Sequence, residues 1–203
     1  MPRANFFAQL GWFVLPQFFD EDTCARLRRE MASSPCQPAS ILDDKNQLVV
    51  DADKRRTDAA TVSSETSALV TTRLIEAMPA LEKHFDMRLI GCEPVSFLVY
   101  KPGAFFGRHA DANHSTDAPA KFRQRKVSVS IFLNGESEQD SSDAYSGGTL
   151  SFSGARGGER QSKHAGIGLT GEEGLLIGFN SSLLHEIQPV RRGVRYSIVT
   201  WFF

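Results

Sequence analysis

The sequence predicts an α+β fold, mainly β, in which N-terminal helices buttress one face of a sheet. Helix-like spacing of apolar residues is confined to residues 1–88, whereas every strong segment in residues 89–203 has the β-branched and aromatic character of a strand. A chain of 203 residues with 41% hydrophobic content suits one globular domain with a sizeable core. We therefore expect residues 1–203 to form a single domain.

The chain begins with an apolar run, NFFAQLGWFVLPQFF, at residues 5–19. Gln9, Gly11 and Pro16 interrupt this run, and no small-residue cleavage site follows it, so it predicts a first strand rather than a signal peptide. The three cysteines form no CxxC pair, which favours a reducing compartment. These features together predict a cytoplasmic protein without a membrane segment.

Two helices are predicted in the N-terminal part. Asp20 or Asp22 can cap a helix that ends near Ser33, and Ser63 or Ser64 can open a longer amphipathic helix. Pro79 lies inside the second helix and can kink it. Between the two helices, the polar segment 40–61 contains one short apolar run and predicts a hairpin or a mobile lid.

Charge gives no indication of a nucleic-acid substrate. The net charge is −1, and the basic runs KRR at 54–56 and KFRQRK at 121–126 are interpreted as solvent-exposed loops. Gly147 and Gly148 are expected to permit a bend or a close approach of strands. Trp201 can either line the pocket or pack in the core, and core packing is favoured. The segments 136–146 and 153–170 look longer than a minimal core requires, which is typical of loops that confer specificity.

His109-Ala110-Asp111 is the first part of a candidate metal site. In an extended segment, residues two apart point to the same side, so His109 and Asp111 can share one metal ion while Ala110 points away. His185 can supply a third ligand from a distant strand. Two histidines and one carboxylate leave one face of an octahedral ion open, which suits Fe(II) that must bind O₂ and a co-substrate. Taken alone, His109 is more typical of an ordinary structural histidine, and His114 is the nearest rival ligand.

The last strand carries a matching anion site. In the run GVRYSIVTWFF from residue 193, Arg195 and Ser197 fall on the same face. A guanidinium on an otherwise apolar strand is costly to bury unless an anion meets it, and it pairs well with a carboxylate. The neighbouring Arg191 and Arg192 lie around the turn before the strand, where exposure to solvent is expected. Arg195 is therefore the candidate for binding a dicarboxylate.

Four blocks from about Val95 to the C-terminus resemble the Fe(II)/2-oxoglutarate-dependent dioxygenases, specifically the prolyl 4-hydroxylase-like branch. The blocks are VSFLVYKPGAFFGRHAD, VSVSIFLN, SGGTLSF and LLIGFNSSLLHEIQPVRRGVRYSIVTWFF. The resemblance implies a double-stranded β-helix, or jelly roll. It also implies iron on His109, Asp111 and His185, and 2-oxoglutarate bound by Arg195. Fe(II) would act with 2-oxoglutarate and O₂ as co-substrates, and ascorbate is left open as an additional cofactor.

The resemblance extends to further co-substrate residues and also has departures. Tyr100 matches a tyrosine that donates a hydrogen bond to 2-oxoglutarate, and Ser197 matches the serine of an RxS carboxylate site. Collagen-type relatives carry lysine where this chain has Arg195, so the resemblance is to the branch and not to that subgroup. Many relatives have a second co-substrate tyrosine where this chain has Phe132, so we expect fewer donors to 2-oxoglutarate.

The implied activity is hydroxylation of an unactivated C–H bond, with a prolyl or other residue of a protein or peptide as the leading substrate. A free amino acid or small metabolite remains an alternative substrate, because the iron and co-substrate blocks do not define the carbon that is oxidised. A non-catalytic jelly-roll binding module and a zinc hydrolase with the same ligands are further alternatives. A nucleic-acid demethylase is disfavoured, because that branch carries a second arginine where this chain has Trp201. The oligomeric state is open.

Overall fold

The computed structural model describes residues 10–139, 141, 143–153 and 166–203. Strands predominate in these ranges, as the sequence predicts. No helix within them is both long enough and apolar enough to cross a membrane. Most of the predicted loop 153–170 lies outside the described residues, as does the start of the first apolar run.

Two helices form where the sequence predicts them. Helix α1 (Glu21–Ser33) begins after Asp20, whose carboxylate accepts a hydrogen bond from the Thr23 amide at 2.8 Å, as an N-cap does. Helix α2 (Ser64–Phe85) begins after Ser63, whose hydroxyl accepts from the Thr66 amide at 3.2 Å. Pro79 lies inside α2 without ending it. The caps therefore determine the starts of both helices.

One short helix was not predicted. Helix α3 (Ala120–Gln124) follows Pro119 and lies within the basic run 121–126. Strands are predicted for every strong segment from Leu89 onward, and this five-residue helix instead lies in a run that was interpreted as a loop. Pro119 has no side-chain oxygen to cap the helix, so the usual N-terminal signal is missing from the sequence.

Sixteen strands are present in the described residues, many of them only two or three residues long. In chain order they are β1 (Phe13–Leu15), β2 (Cys36–Pro38), β3 (Ile41–Leu42), β4 (Leu48–Val49), β5 (Arg55–Arg56), β6 (Asp58–Ala60), β7 (Ser96–Tyr100), β8 (Phe105–His109), β9 (Val127–Phe132), β10 (Ser146–Gly147), β11 (Leu150–Phe152), β12 (Ile167–Leu169), β13 (Leu176–Asn180), β14 (His185–Ile187), β15 (Val190–Arg192) and β16 (Arg195–Phe202).

The strands form two principal sheets. The larger has seven strands in the order β1-β13-β9-β16-β7-β6-β2, and the smaller has five in the order β12-β11-β14-β8-β5. Neighbouring strands of these two sheets pair antiparallel in the described residues, and strands distant in sequence lie side by side. Two further pairs are separate, β10 with β15 and the hairpin β3-β4. The predicted hairpin in segment 40–61 is therefore present.

Two apolar clusters show how the layers are packed. One cluster lies between the helices and the larger sheet, and it includes Leu27 of α1, Leu74 of α2 and Ile131 of β9. The other contains Phe132 of β9 together with Phe152 of β11, so it lies between the two sheets. Successive residues of β9 thus face opposite layers, as the alternation of a strand requires.

The last strand, β16, is flanked by β7 and β9 near the middle of the larger sheet. Arg195, Ser197, Val199 and Trp201 all line a pocket between the sheets, whereas Tyr196 and Ile198 pack toward the helices. The predicted parity of this strand is confirmed. The larger sheet therefore presents Arg195 and Ser197 to the smaller sheet, which carries the two histidines of the candidate metal site.

Candidate metal centre and adjoining cleft

Three potential metal ligands meet where two neighbouring strands of the smaller sheet, β8 and β14, have their adjacent ends. His109 ends β8 and His185 begins β14, and the two residues are paired directly across the strands. Asp111 lies in the bend after β8. Its Oδ1 is 3.4 Å from His109 Nε2, and its Oδ2 is 3.5 Å from His185 Nε2. The ligand atoms of all three lie within 4.8 Å of one another, a spacing that one ion can fill.

Backbone carbonyls orient both imidazole rings. His109 Nδ1 is 2.8 Å from the Gly107 oxygen, and His185 Nδ1 is 2.9 Å from the Leu183 oxygen. A carbonyl can only accept, so each Nδ1 carries a hydrogen, and in a neutral ring Nε2 then keeps a free lone pair. Metal-binding histidines are commonly fixed in this way. Both Nε2 atoms face Asp111.

The Asp111 carboxylate is held by its own set of contacts. The Ser128 hydroxyl donates to Oδ2 at 2.6 Å, and the Asp111 amide donates to the Ser181 carbonyl at 2.9 Å. The Ser128 and Ser181 hydroxyls are 3.0 Å apart. Ser128 therefore restrains Oδ2, the oxygen near His185, while Oδ1 lies near His109. Ser128 could not be predicted from the sequence, because its partner lies 17 residues away in another element.

The protonation states suit a cation. Burial lowers the pKa of His185 to about 4, although Asp111 opposes this shift. Burial would raise the pKa of Asp111, but His185, His109 and the Ser128 hydrogen bond outweigh it and hold that pKa well below its usual range. At neutral pH the site therefore contains a neutral His185 and an ionised Asp111. These are the forms that bind a divalent metal ion.

Aromatic rings enclose the two histidines. Phe106 is stacked on His109 with centroids 3.6 Å apart and planes 17° apart. Phe179 contacts His185 edge-on at 4.7 Å. These apolar neighbours restrict water around the ligand atoms and limit rotation of the rings.

Arg195 lies at the closed end of the same pocket. It is only 1% exposed, and its Nη1 donates to the Ser197 hydroxyl at 2.8 Å. Its Nε and Nη2 are buried without a hydrogen-bond partner. The guanidinium carbon lies 4.9 Å from the Tyr100 ring centre and 5.1 Å from that of Phe132. A buried cation with two unused donors is unfavourable by itself, so this position fits an anionic ligand.

Tyr145 is a polar residue at this end that the sequence did not reveal. Its hydroxyl is buried without a hydrogen-bond partner, and burial raises its pKa to about 12, with Arg195 lowering it and Glu136 raising it. A Cβ on Gly148 would touch both Arg195 and Tyr145, and one on Gly171 would meet both the Tyr145 hydroxyl and the Phe132 ring. Tyr145 therefore brings a phenol beside Phe132, where the sequence predicted that a hydroxyl is missing.

We refer to the narrow space lined by His109, Asp111, His185 and Arg195 as the inner pocket. It opens into a cleft of about 1050 Å³, which runs from the β3-β4 hairpin to Trp201. Trp201 lines both spaces, so the expectation that it packs in the core is wrong. It lies near the end of β16, beside the Arg125 guanidinium.

Arg125 stands against Trp201 in the wall of the cleft. Its guanidinium lies 3.7 Å from the Trp201 ring centre and makes two hydrogen bonds to Glu93, at 2.6 and 2.8 Å. It also donates to the Asp111 carbonyl at 3.1 Å. The interpretation of run 121–126 as a solvent-exposed basic loop is therefore wrong for Arg125, which is 7% exposed. Its carboxylate partner lies 32 residues earlier, beyond the reach of a local charge pattern.

Arg55 corrects the interpretation of the other basic run. It belongs to β5, which pairs with β8, and it lines both the inner pocket and the cleft. Its guanidinium lies 4.5 Å from the Phe106 ring centre, and its Nη1 donates to the Ser40 carbonyl at 3.1 Å. Arg55 and Arg56 thus form a strand at the mouth of the inner pocket, while Lys54 precedes it in an exposed turn.

The rival histidines do not join the centre. His114 is exposed and hydrogen-bonded to Ser182, and His84 packs against Phe13 and Phe85. His164 lies outside the described residues. Across the part of the chain that the structure describes, His109, Asp111 and His185 are the one trio of potential ligands with metal-site spacing.

These residues fit both an iron ion and a dicarboxylate. Two imidazoles and one carboxylate leave coordination positions open on the side of the inner pocket, as a catalytic iron requires. Arg195 supplies two unpartnered donors at the far end of the same pocket. A dicarboxylate could therefore contact the metal at one end and the guanidinium at the other.

Comparison with known proteins gives the same combination of features. Residues 95–203, more than half of the chain, match the family model described as the 2OG-Fe(II) oxygenase superfamily. A PKHD-type hydroxylase of Thermosynechococcus vestitus is 29% identical over 163 residues, covering 80% of this chain and 61% of the relative. A PKHD-type hydroxylase of a Synechococcus strain is matched over 50% of its length. The chain thus spans about half to three fifths of these relatives.

Solved structures of prolyl hydroxylases have the same fold. A Pseudomonas putida prolyl-4-hydroxylase superposes with a TM-score of 0.67 at 23% identity, covering 98% of this chain and 95% of the other. A Trichoplax adhaerens prolyl hydroxylase, solved with a hypoxia inducible factor peptide fragment, gives a TM-score of 0.66 at 18% identity. That comparison covers 98% of this chain and 86% of the other.

Proposed function

Because the chain belongs to the 2OG-Fe(II) oxygenase superfamily, we propose that it is a hydroxylase that uses Fe(II), 2-oxoglutarate and O₂ to oxidise an unactivated C–H bond. The substrate is a prolyl or other residue of a protein or peptide. The observation that carries this proposal is the presence, in one pocket, of the His109, Asp111 and His185 trio and of the unpartnered nitrogens of Arg195.

In this proposal each residue has a distinct task. His109, Asp111 and His185 hold the iron, while Arg195 and Ser197 bind the distal carboxylate of 2-oxoglutarate. Tyr100 flanks the guanidinium, and its hydroxyl donates a hydrogen bond to the co-substrate. Bound Fe(II) supplies O₂ activation, coupled to oxidative decarboxylation of 2-oxoglutarate to succinate and CO₂. The protein orients the reactants and, with the surrounding rings, excludes water from them.

The cleft supports a peptide or protein rather than a small metabolite as the substrate. Its volume of about 1050 Å³ exceeds what a free amino acid needs, and it extends from the β3-β4 hairpin past the metal ligands to Trp201. Trp201 and the paired Arg125 give it an aromatic and polar wall close to Asp111. The solved Trichoplax adhaerens prolyl hydroxylase carries a peptide, which supports the same substrate class.

The architecture of this enzyme follows from the same proposal. The two facing sheets correspond to the double-stranded β-helix of the superfamily, and residues 1–203 act as one catalytic domain. Residues 1–88 supply the helices that support the larger sheet, and residues 89–203 supply the core with the iron site. The three cysteines are unpaired, which supports a reducing, cytoplasmic setting.

Succinate release is the direct test of this function. The native protein should form succinate from 2-oxoglutarate in the presence of Fe(II), and a screen of proline-containing peptides, free amino acids and small metabolites should show strongest coupling with a peptide. Asp111→Ala should lose turnover, whereas Asp117→Ala, which alters an exposed carboxylate nearby, should keep it. Turnover with Zn(II) in place of Fe(II) would contradict the proposal. The proposal would also be contradicted if the native protein formed no succinate and the Asp111→Ala variant still bound a partner.

A further inference from the structure

Two cations line the inner pocket, and the proposed function uses only one of them. Arg195 lies at the closed end, and Arg55 lies at the mouth, where the pocket meets the cleft. Both have a guanidinium Nε that is buried without a hydrogen-bond partner. The inference about Arg55 that follows rests on the proposed function, because it assigns 2-oxoglutarate to Arg195.

The fold holds Arg55 firmly beside the metal ligands. β5 pairs with β8 in the register that places Arg55 opposite Phe106, and the guanidinium lies over that ring at 4.5 Å. Phe106 is in turn stacked on His109. The Ser40 carbonyl accepts from Nη1 and fixes the other side of the guanidinium. One aromatic ring therefore separates the cation from a metal ligand, and its Nε edge is not used by the protein.

No carboxylate of the described residues forms an ion pair with Arg55. Asp51 pairs with Lys54 at 3.9 Å, and Asp58 pairs with Lys101 at 3.2 Å. Asp44 and Asp53 also line the cleft, and neither forms an ion pair with Arg55. Asp43 accepts hydrogen bonds from the amides of its own turn. Arg55 thus brings an uncompensated positive charge to a partly desolvated position, which is unfavourable without an anion.

Charge balance inside the pocket leads to the same conclusion. The divalent cation and Arg195 together balance the Asp111 carboxylate and the two carboxylates of 2-oxoglutarate. The positive charge of Arg55 is left over when these groups are bound. The remaining component of the reaction is the substrate, which must pass Arg55 on its way from the cleft to the metal.

We propose that Arg55 binds a carboxylate of the substrate and so selects acidic substrates. The Nε–H edge of the guanidinium donates hydrogen bonds to the carboxylate, while Nη1 continues to donate to the Ser40 carbonyl. The carboxylate comes either from an acidic side chain next to the oxidised residue of a peptide or from the free α-carboxylate of an amino acid. Both sources present the same group at the mouth of the inner pocket.

Two pairs of probes separate these sources. Acetyl-proline and its amide differ in the free carboxylate. A blocked tetrapeptide with aspartate after proline and the same peptide with asparagine differ in the side chain. Binding is measured by calorimetry without O₂, on protein loaded with Mn(II) and 2-oxoglutarate, so that no turnover is needed. We expect the carboxylate member of one pair to bind about tenfold more tightly than its neutral partner.

Two Arg55 variants and one control decide the outcome. In Arg55→Gln the preference for the carboxylate should disappear, and in Arg55→Lys, which keeps the charge without the planar fork, it should fall but persist. Lys54→Gln, which removes the adjacent cation of the same strand region, should keep the full preference. Circular dichroism establishes that each variant is folded. If Arg55→Gln does not fold, the reduced preference expected in Arg55→Lys tests the proposal by itself.

The proposal is overturned if native protein binds both members of each pair equally, or if the preference survives in Arg55→Gln. An undiminished preference in Arg55→Lys also contradicts it. These binding measurements require no turnover, so their outcome can be separated from that of the proposed hydroxylation. If native protein formed no succinate, the proposed hydroxylation would fail, while the binding comparison would still show whether Arg55 recognises carboxylates.

Discussion

The closed end of the inner pocket concentrates buried donors that have no partner within the protein. Arg195 contributes Nε and Nη2, and Tyr145 contributes its hydroxyl. Each buried donor left unpaired destabilises the protein by about 1–3 kcal/mol, so their clustering indicates a place prepared for an anion. Phe132, beside them, has no polar atom to contribute. We infer that Tyr145 takes over the hydrogen bond that a tyrosine at position 132 would make.

Removing this hydroxyl should weaken the binding of 2-oxoglutarate. Burial raises the pKa of Tyr145 to about 12, so its phenol is far from ionisation at pH 7 and is a donor there. Tyr145→Phe should raise the dissociation constant for 2-oxoglutarate roughly three- to tenfold, which corresponds to about 1 kcal/mol. Anaerobic titration of Mn(II)-loaded protein measures this. Tyr196→Phe, on the opposite face of β16, should have no effect, and equal affinities in native protein and Tyr145→Phe would refute the assignment.

Residues whose role depends on the alternation of side chains along a strand could be predicted from the sequence. Residues whose role depends on a partner remote in sequence could not. Arg195 could be chosen over Arg191 because alternate residues of a strand face opposite layers. Arg125 and Tyr145 could not be recognised, since Glu93 and Arg195 approach them only in the folded protein. A run of basic residues looks the same whether its members are solvated or buried against an acid.

At the scale of elements, the β10-β15 pair depends on a glycine with little room around it. Gly147 has a φ of +69°, and a Cβ there would lie 2.4 Å from the Pro189 carbonyl oxygen. Gly103 has a similar φ of +82°, but nothing lies within 4 Å of its missing Cβ. The expectation of a close strand approach at Gly147 is thus confirmed. Both glycines have a left-handed backbone, but only at Gly147 would a Cβ also overlap a neighbouring atom.

Alanine at these two positions should therefore have different effects. Gly103→Ala should reduce the free energy of unfolding by about 1 kcal/mol, the usual cost of a left-handed backbone with a Cβ. Gly147→Ala should lose at least about 2–3 kcal/mol, because a backbone oxygen must also move. Urea denaturation monitored by circular dichroism measures both values. Similar losses in the two variants would show that the overlap with Pro189 is relieved at little cost.

Helices were easier to predict than the short strands. Asp20 and Ser63 provide N-cap signals that lie next to the elements they begin. Strands of two or three residues, such as β4 and β5, have too few positions to show alternation, and only their partners stabilise them. The role of β5 became clear only through its pairing with β8.

At the scale of the whole molecule, the order of strands in the sheets could not be predicted from the sequence. β16 pairs with β7 and β9, and β14 pairs with β8 and β11, all from distant parts of the chain. Alternation predicts which side of a strand is buried but not which strand lies next to it. The mainly β class and the support by helices could be predicted, because they depend on composition and on the order of elements.

The division of the site between the sheets has a thermodynamic consequence. The two histidines belong to the smaller sheet, while Arg195 and Ser197 belong to the larger one. The metal alone therefore links residues of the smaller sheet and the adjoining bend. The co-substrate, bound to the metal and to Arg195 together, joins one sheet to the other.

Metal and 2-oxoglutarate should therefore stabilise the folded protein cooperatively. Mn(II) alone should raise the melting temperature, 2-oxoglutarate alone should raise it little, and the pair should exceed the sum of the two shifts, because each ligand increases the affinity for the other. Differential scanning fluorimetry without O₂ measures these shifts. Arg195→Gln should keep the metal shift and lose the additional one, whereas Arg191→Gln, at an exposed arginine that pairs with Glu138, should keep both. An equal effect of 2-oxoglutarate with and without metal would mean that the carboxylate site at Arg195 works independently of the metal centre, so that the co-substrate does not bridge the sheets.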